Sequence, residues 1–537
     1  MRKTAPRLTT YTLWLVTAVL LCAGAYAASA QQGPDSAAVQ SGDSAVVSTP
    51  QAVDSQATPL VETPPAEGVG QPEQTAASAL RDARLNVNST LMDRFISLVG
   101  VFLLLLIGWS LSTDRRAIPW RVLLWGVGLQ FIFAILILKT PFGQAFFSGV
   151  NSVVVQLLGF TEQGARFLFG NLVQNNVPIG AGDVGNSPIS VTSGNVANTG
   201  AYFAFNVLPT IIFFSSLMTM LYHMGVMQKV VKGVAWVMMR TMRTSGAETL
   251  SSAGNIFLGQ TEAPLLIKPF VKTMTISELH CVMTGGFATV AGGVMAAYVG
   301  MLLYYFPDIA GHLMAASVMS APAAIVFAKL MLPEKEVPVT SGSLDVDVEK
   351  VDANVIDAAA RGAGEGLQLA LNVGAMLLAF IALIALINAL FGWVGDITGI
   401  AGVFRGQGWM AGSERLTLEW LLGRLLAPLA FFMGVPWKDA TEIGTLLGIK
   451  TAVNEFVGYL GLANMLQGGA NLSPRSIIIA TYAMCGFANF SSIAIQIGGI
   501  GGLAPSRRSD LARIGMRAMI AGTLASFLTA AIAGILI

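Results

Sequence analysis

Residues 254–270 read GNIFLGQTEAPLLIKPF. The stretch opens as an apolar run and then sets Gln260, Thr261 and Glu262 at its centre. Two positions later Pro264 removes a backbone donor and opposes a continuous helix, so Gly259 and Pro264 bracket the acid in broken or turned backbone. A second stretch, KTAVNEFVGYL at 450–460, surrounds Glu455 with apolar residues in the same way. An ionisable side chain at membrane depth is costly and is expected to face a cavity and meet a partner. Broken backbone at that depth is tolerated only inside protein or along such a cavity. The two stretches therefore read as walls of one polar site inside a membrane protein.

Composition carries the membrane assignment. Of 537 residues, 54% are hydrophobic and only 11% charged, with a mean hydropathy of +0.66. Soluble chains carry about a quarter charged residues, so this one is too poor in charge to cover a water-facing surface. Apolar runs of about 20 residues, the length that crosses a bilayer, recur along it. A net charge of +1 leaves no basic patch for a phosphate backbone and argues against a nucleic-acid partner. Cys22 lies in the leader and Cys281 and Cys485 in apolar segments, which gives neither a disulfide framework nor a CxxC metal motif. His223, His280 and His312 are scattered.

Residues 1–30 have the parts of a secretory signal peptide: basic Arg2, Lys3 and Arg7, an apolar core at 13–21, and Ala28-Ser29-Ala30 as cleavage site. An uncleaved anchor is the alternative. Residues 31–90 hold no aromatic side chain and are expected to form a disordered tail outside the cytoplasm. Membrane spans are expected at 91–111, 122–138, 201–220, 279–305, 310–332, 367–393, 476–503 and 519–537. Residues 140–200 read as surface-lying helices and an external Gly/Asn/Ser-rich loop, and 395–440 as mixed and partly interfacial. Basic clusters at 115–121, 229–243 and 507–517 fall on one face, the cytoplasmic one, together with a polar loop at 333–361.

Two broken segments, about 245–270 and 440–465, complete an all-α polytopic architecture of eight spans. Each broken acidic segment is followed by a Gly-interrupted span, 285–293 and 486–492. The intervening spans place the ends of the first segment inside and those of the second outside. That order is an inverted repeat, whose interrupted segments point to a binding site near the bilayer midplane.

GQTEAPLLIKPF (259–270), NEFVGY (454–459) and GFANFSSIAIQIGGIGGLAPSRRSD (486–510) resemble the concentrative nucleoside transporter family, and the likeness runs from about Leu91 to Ile537. The resemblance implies a homotrimer in the plasma (inner) membrane with two re-entrant hairpins and sodium-driven uptake of nucleosides such as uridine. It implies scaffold and interfacial helices over 91–245, a transport part over 246–335, a cytoplasmic loop at 336–365, a scaffold helix at 366–395 and the rest of the transport part over 396–537.

The resemblance assigns Gln260, Thr261 and Glu262 to the nucleobase, with Val294 as an apolar wall. Gln supplies donor and acceptor, while Glu and Thr can accept from ring or exocyclic N–H groups. Glu455, Asn489 and Ser492 match the ribose-binding group, and Phe487 packs on sugar or base. A carboxylate accepting from sugar hydroxyls makes charge-assisted bonds, stronger than neutral ones. The co-transported sodium ion is assigned to Asn255, Leu258, Thr289 and Val290, the first and third through side-chain oxygens and the others through main-chain carbonyls. Thr289 stands where the family commonly has Ser, and Gly293 where it often has Ser. A proton-coupled symporter on the same scaffold is the alternative. A membrane enzyme lacks a nucleophile–base pair near the two acids, and single acids on hairpins do not make the charged ring of a channel.

Overall fold

The structure, a computed structural model, describes residues 89–174, 176–181, 190–198, 203–342, 352–399, 402 and 416–537. The expected leader at 1–30 and tail at 31–88 lie outside the described residues, as do 343–351 of the expected polar loop and parts of 174–200 and 396–440.

Local sequence explains most helix ends. Helix α1 (Leu91–Ser110) starts at Thr90, which accepts from Asp93 N while the Asp93 carboxylate returns the bond, a capping box. Helix α2 (Trp120–Lys139) returns across, and α3 (Pro141–Phe169) opens with proline in its first turn behind the Thr140 cap. Phe142, Phe160, Phe167 and Leu168 are exposed along α3, which suits a helix lying at the bilayer surface.

Residues 176–181 and 190–198 depart from the expected loop. Strands β1 (Asn176–Ala181) and β2 (Ser190–Asn198) pair antiparallel with an irregularity between Pro178 and Gly180. The β-branched Val177, Ile179, Val191, Thr192 and Val196 explain why this polar run extends and pairs. All other regular structure among the described residues is helical.

A π-helical turn leads into α4 (Leu208–His223). Helix α5 (Val226–Met242) buries Met227, Val231, Ala235, Met238 and Met242, a helical stripe opposite Lys229, Lys232 and Arg240. The first hairpin then rises through α6 (Gly246–Gly254) and returns through a 3₁₀ turn, Ala263–Ile267. Helices α7 (Ile276–Ala288) and α8 (Gly292–Leu302) are one span broken at 289–291, and α9 (Ile309–Met331) follows.

Helix α10 (Val355–Thr398) is 44 residues long and starts well before the expected 367. Asn354 caps it by accepting from Ile356 N and Asp357 N, and Arg361 pairs with Glu365 one turn on. The hydrogen bond from Arg361 also holds the Asp352 carboxyl below its usual range. These local bonds make helix out of residues polar enough to read as loop.

Helices α11 (Leu418–Phe432) and α12 (Trp437–Ala452) meet at a 118° bend. The second hairpin runs through α12 and α13 (Glu455–Gln467). A second broken span is formed by α14 (Pro474–Met484) and α15 (Phe490–Leu503), and α16 (Arg508–Leu536) ends the chain. Among the described residues, seven helical segments are long and apolar enough to cross a membrane. The expected span at 476–503 is split between α14 and α15, each half too short to cross alone.

Burial separates an inner body from an outer one. The α7–α8, α9 and α16 spans are 83%, 89% and 78% buried, against 22% for the span containing α4 and 17% for α10. Both hairpins are anchored at their bases by buried polar groups. Lys329 meets Glu248 at 2.7 Å and Glu334 at 3.2 Å, and Ser245 Oγ donates to Glu278 at 2.6 Å. In the other repeat Asp439 accepts from Ser473 N at 3.0 Å and Ser476 Oγ at 2.6 Å. In each case a carboxylate three residues into one helix bonds the cap region of its neighbour.

Candidate functional site

The first hairpin turns where its sequence breaks. Leu258 N donates to Gly254 O at 2.9 Å, and Ala263 N to Gly259 O at 3.0 Å. Pro264 then falls in the first turn of the 3₁₀ segment, where its missing N–H costs nothing. This geometry presents Gln260, Thr261 and Glu262 at the tip. The Glu262 carboxylate folds over Gly259, and a side chain at Gly259 would collide with it. Glu262 is exposed to the cavity and accepts from Thr261 Oγ1 at 3.3 Å.

The second hairpin holds its acid differently. Glu455 is 4% exposed and is the first residue of α13, behind the Asn454 cap. Its Oε1 accepts from Tyr298 Oη at 2.9 Å and its Oε2 from Asn489 Nδ2 at 3.1 Å. The helix N-terminus favours the same negative charge. Asn489 is itself fixed, because its Oδ1 accepts from Ser492 N at 2.9 Å and Ser491 Oγ at 2.8 Å. Tyr298 is stacked on Tyr459 with ring centres 4.3 Å apart.

The two repeats cross at their breaks. Gly486, at φ 143°, packs where a Cβ would come within 2.6 Å of Phe287 O. Phe487 N donates to Thr289 O at 3.3 Å, and Gln260 Nε2 to Ser492 Oγ at 3.1 Å. Around this crossing lies one cavity, and Gln260, Thr261, Glu262, Val294, Glu455, Phe487, Asn489 and Ser492 all line it. Leu369, Val373 and Met376 of α10 form its apolar outer wall, which the sequence reading did not anticipate.

Beside the cavity, Asn255 ends α6 and is 1% exposed. Its Nδ2 donates to Ser251 O at 3.0 Å, and its buried Oδ1 has no partner among the described residues. Thr289 Oγ1 donates to Gly285 O at 3.0 Å, which leaves the hydroxyl lone pairs for another group. Leu258 lies in the hairpin turn and Val290 in the α7–α8 break, and Gly292 N ties that break to Phe257 O at 3.0 Å. No three His, Cys, Asp or Glu side chains among the described residues group to hold a metal. The oxygens here are neutral, a donor set that suits a hard monovalent cation.

Three family profiles match successive parts of the chain: "Na+ dependent nucleoside transporter N-terminus" over 99–172, "Nucleoside recognition" over 204–304 and "Na+ dependent nucleoside transporter C-terminus" over 312–534. An uncharacterized transporter of Haemophilus influenzae is 44% identical over 449 residues, covering 83% of this chain and 98% of the relative. The chain belongs to the Na+-dependent nucleoside transporter family. Sodium/nucleoside cotransporter 1 of Rattus norvegicus is 40% identical over 457 residues, 83% of this chain and 64% of the rat protein. Among solved structures, CNTnw in an inward-facing substrate-bound state matches with a TM-score of 0.70 and 40% identity, covering 82% of this chain and 97% of that one.

Family membership makes the chain a multi-pass membrane transporter rather than an enzyme. Two polar residues of the crossing escaped the sequence reading. Tyr298 reaches Glu455 across 157 residues, and Gln496 reaches Gln260 across 236. A buried Tyr hydroxyl in an apolar span needs a partner, and that need was the only signal available for Tyr298.

Proposed function

We propose that this transporter imports nucleosides together with sodium across the plasma membrane, by movement of the hairpin-bearing body against a scaffold that includes α4 and α10. The observation that carries this reading is the pair of hairpin carboxylates, Glu262 and Glu455, on the wall of one cavity shared by both repeats. Glu455 and Asn489, with Ser492, take the ribose hydroxyls, because a carboxylate pre-oriented by two donors keeps lone pairs for charge-assisted bonds. Gln260, Thr261 and Glu262 meet the base edge, Val294 packs on the base face, and Phe487 packs on sugar or base.

Sodium is the second substrate. The unpartnered Asn255 Oδ1 supports an ion held by Asn255, Thr289 and the carbonyls of Leu258 and Val290. An ion there joins the hairpin tip to the α7–α8 break and so sets the shape that presents Gln260 to Glu262. Sodium then raises nucleoside affinity, and nucleoside raises sodium affinity by the same factor. One inward charge gains about 2.3 kcal/mol per 100 mV, which drives accumulation.

The weak burial of α4 and α10 supports their packing against copies of the chain in a homotrimer. Uptake of labelled uridine into vesicles holding the purified protein tests the reading. Accumulation is expected with an inward sodium gradient and not without it. Accumulation driven by a proton gradient alone would replace sodium with the proton.

A further inference from the structure

Gln496, on α15, is fully buried; it lies behind Gln260 and does not itself line the cavity. Its Nε2 donates to two oxygens, Met283 O at 3.2 Å and Gln260 Oε1 at 3.1 Å. A main-chain carbonyl can only accept, so the Gln496 atom facing Met283 has to be nitrogen. The second hydrogen of that nitrogen then requires Gln260 to turn its oxygen inward. Gln260 Nε2 follows, with one hydrogen on Ser492 Oγ at 3.1 Å and the other left over.

Two further observations mark this arrangement as built for orientation. Gln496 Oε1 is buried with no partner among the described residues, so the side chain gives up an acceptor to keep both donors in use. Gly286 makes room for the contact, since a Cβ there would lie 2.9 Å from both Gln260 Cβ and Gln496 Nε2.

We infer that Gln496 is a positioning residue that sets the hydrogen-bond polarity of Gln260, so that Gln260 offers an N–H to the cavity and selects nucleosides whose base presents an acceptor to it. The inference rests on the assignment of Gln260 to the nucleobase. The chain of polarity starts at the Met283 carbonyl in one repeat, passes through Gln496 in the other, and returns to the first hairpin. Substrate choice is thereby tied to the correct crossing of the two repeats.

The test compares uridine and cytidine, which share the ribose and carry opposite donor–acceptor patterns at base positions 3 and 4. Relative kcat/KM for the two is measured by uptake in the full-length protein, normalised to the amount in the membrane. Gln496→Met keeps the volume and frees the Gln260 amide to flip. It is expected to bring the uridine-to-cytidine ratio about fivefold to tenfold closer to one, the effect of one neutral hydrogen bond. Gln496→Glu keeps the size; as the neutral acid in this buried setting it gives its one O–H to Met283 O and offers Gln260 an acceptor oxygen, so Gln260 turns its N–H inward and the preference is expected to invert.

A wild-type ratio near one, or variants that raise both KM values equally and leave the ratio intact, would overturn the proposal. Gln260→Ala separates the two levels of the argument. If it leaves the KM of both nucleosides unchanged, the assignment of Gln260 to the base fails. If it changes KM while Gln496→Met and Gln496→Glu leave the ratio alone, that assignment stands and the polarity relay fails.

Discussion

The two hairpins carry one acid each to the same cavity but hold it in opposite ways. Glu455 begins a regular helix, is 4% exposed, and is gripped by Tyr298 and Asn489. Glu262 sits in a turn ahead of Pro264, faces the cavity, and accepts from its neighbour Thr261 at 3.3 Å. The gripped carboxylate has one geometry, which suits a sugar that every nucleoside shares. The open one can adjust, which suits a base that varies. Inverted repeats can thus keep a common backbone plan and still hold their two acids differently.

The largest expected effect follows from the gripped acid. Glu455→Gln removes the charge and sets an amide N–H against either Tyr298 Oη or Asn489 Nδ2. Charge-assisted bonds are worth about 1.5–3 kcal/mol each, so the KM for uridine is expected to rise about tenfold to a hundredfold. Uptake at low uridine concentration checks it, and a near-normal rate in a well-inserted variant would remove Glu455 from the ribose.

Tyr298→Phe should come next, because it deletes one of the two donors and leaves the rings stacked. A rise in KM of about tenfold is expected, from the loss of one hydrogen bond to a charged group. The sodium dependence of uptake should stay where it is. A variant that shifted both equally would show that Tyr298 supports the fold of α8 rather than the acid.

Asn255→Ala and Thr289→Val probe the neighbour of the open acid. Both are expected to move the sodium dependence to higher concentration by several-fold, about the value of one neutral hydrogen-bonding group. Nucleoside affinity should recover as sodium is raised, while Thr289→Ser should be mild because the hydroxyl survives. An unchanged sodium dependence in both Asn255→Ala and Thr289→Val would move the ion elsewhere.

The smallest effect is expected at Glu262. Glu262→Gln should raise KM only about threefold to tenfold, as for a single weakly held contact, and unequally for different bases. Kinetics of the two Gln variants on one nucleoside panel decide the comparison. If Glu262→Gln costs as much as Glu455→Gln, and equally for every base, the contrast between a gripped and an adjustable acid collapses.

Much of this molecule was legible before folding. Low charge and recurring apolar runs committed the chain to the membrane, because its apolar side chains need lipid or protein around them. Glu262 between Gly259 and Pro264, and Glu455 inside an apolar run, announced a polar cavity because an ionisable side chain in apolar surroundings needs one or a partner. The amphipathic α5 was missed because its apolar residues form a stripe broken by Lys229, Lys232 and Arg240 and not a long apolar run, and the early start of α10 because its stabilising bonds are local and polar.

Tertiary structure alone decided how Glu455 is held and what Gln260 meets. Tyr298 and Gln496 look like ordinary span residues in sequence, and only the crossing of the breaks at Gly486 and Phe287 brings them to Glu455 and Gln260. Hydrophobic patterning specifies which segments enter the bilayer, since it depends on each residue's own transfer from water. Hydrogen bonds are short and directional, so which polar groups meet depends on how remote segments are placed to within a fraction of an ångström.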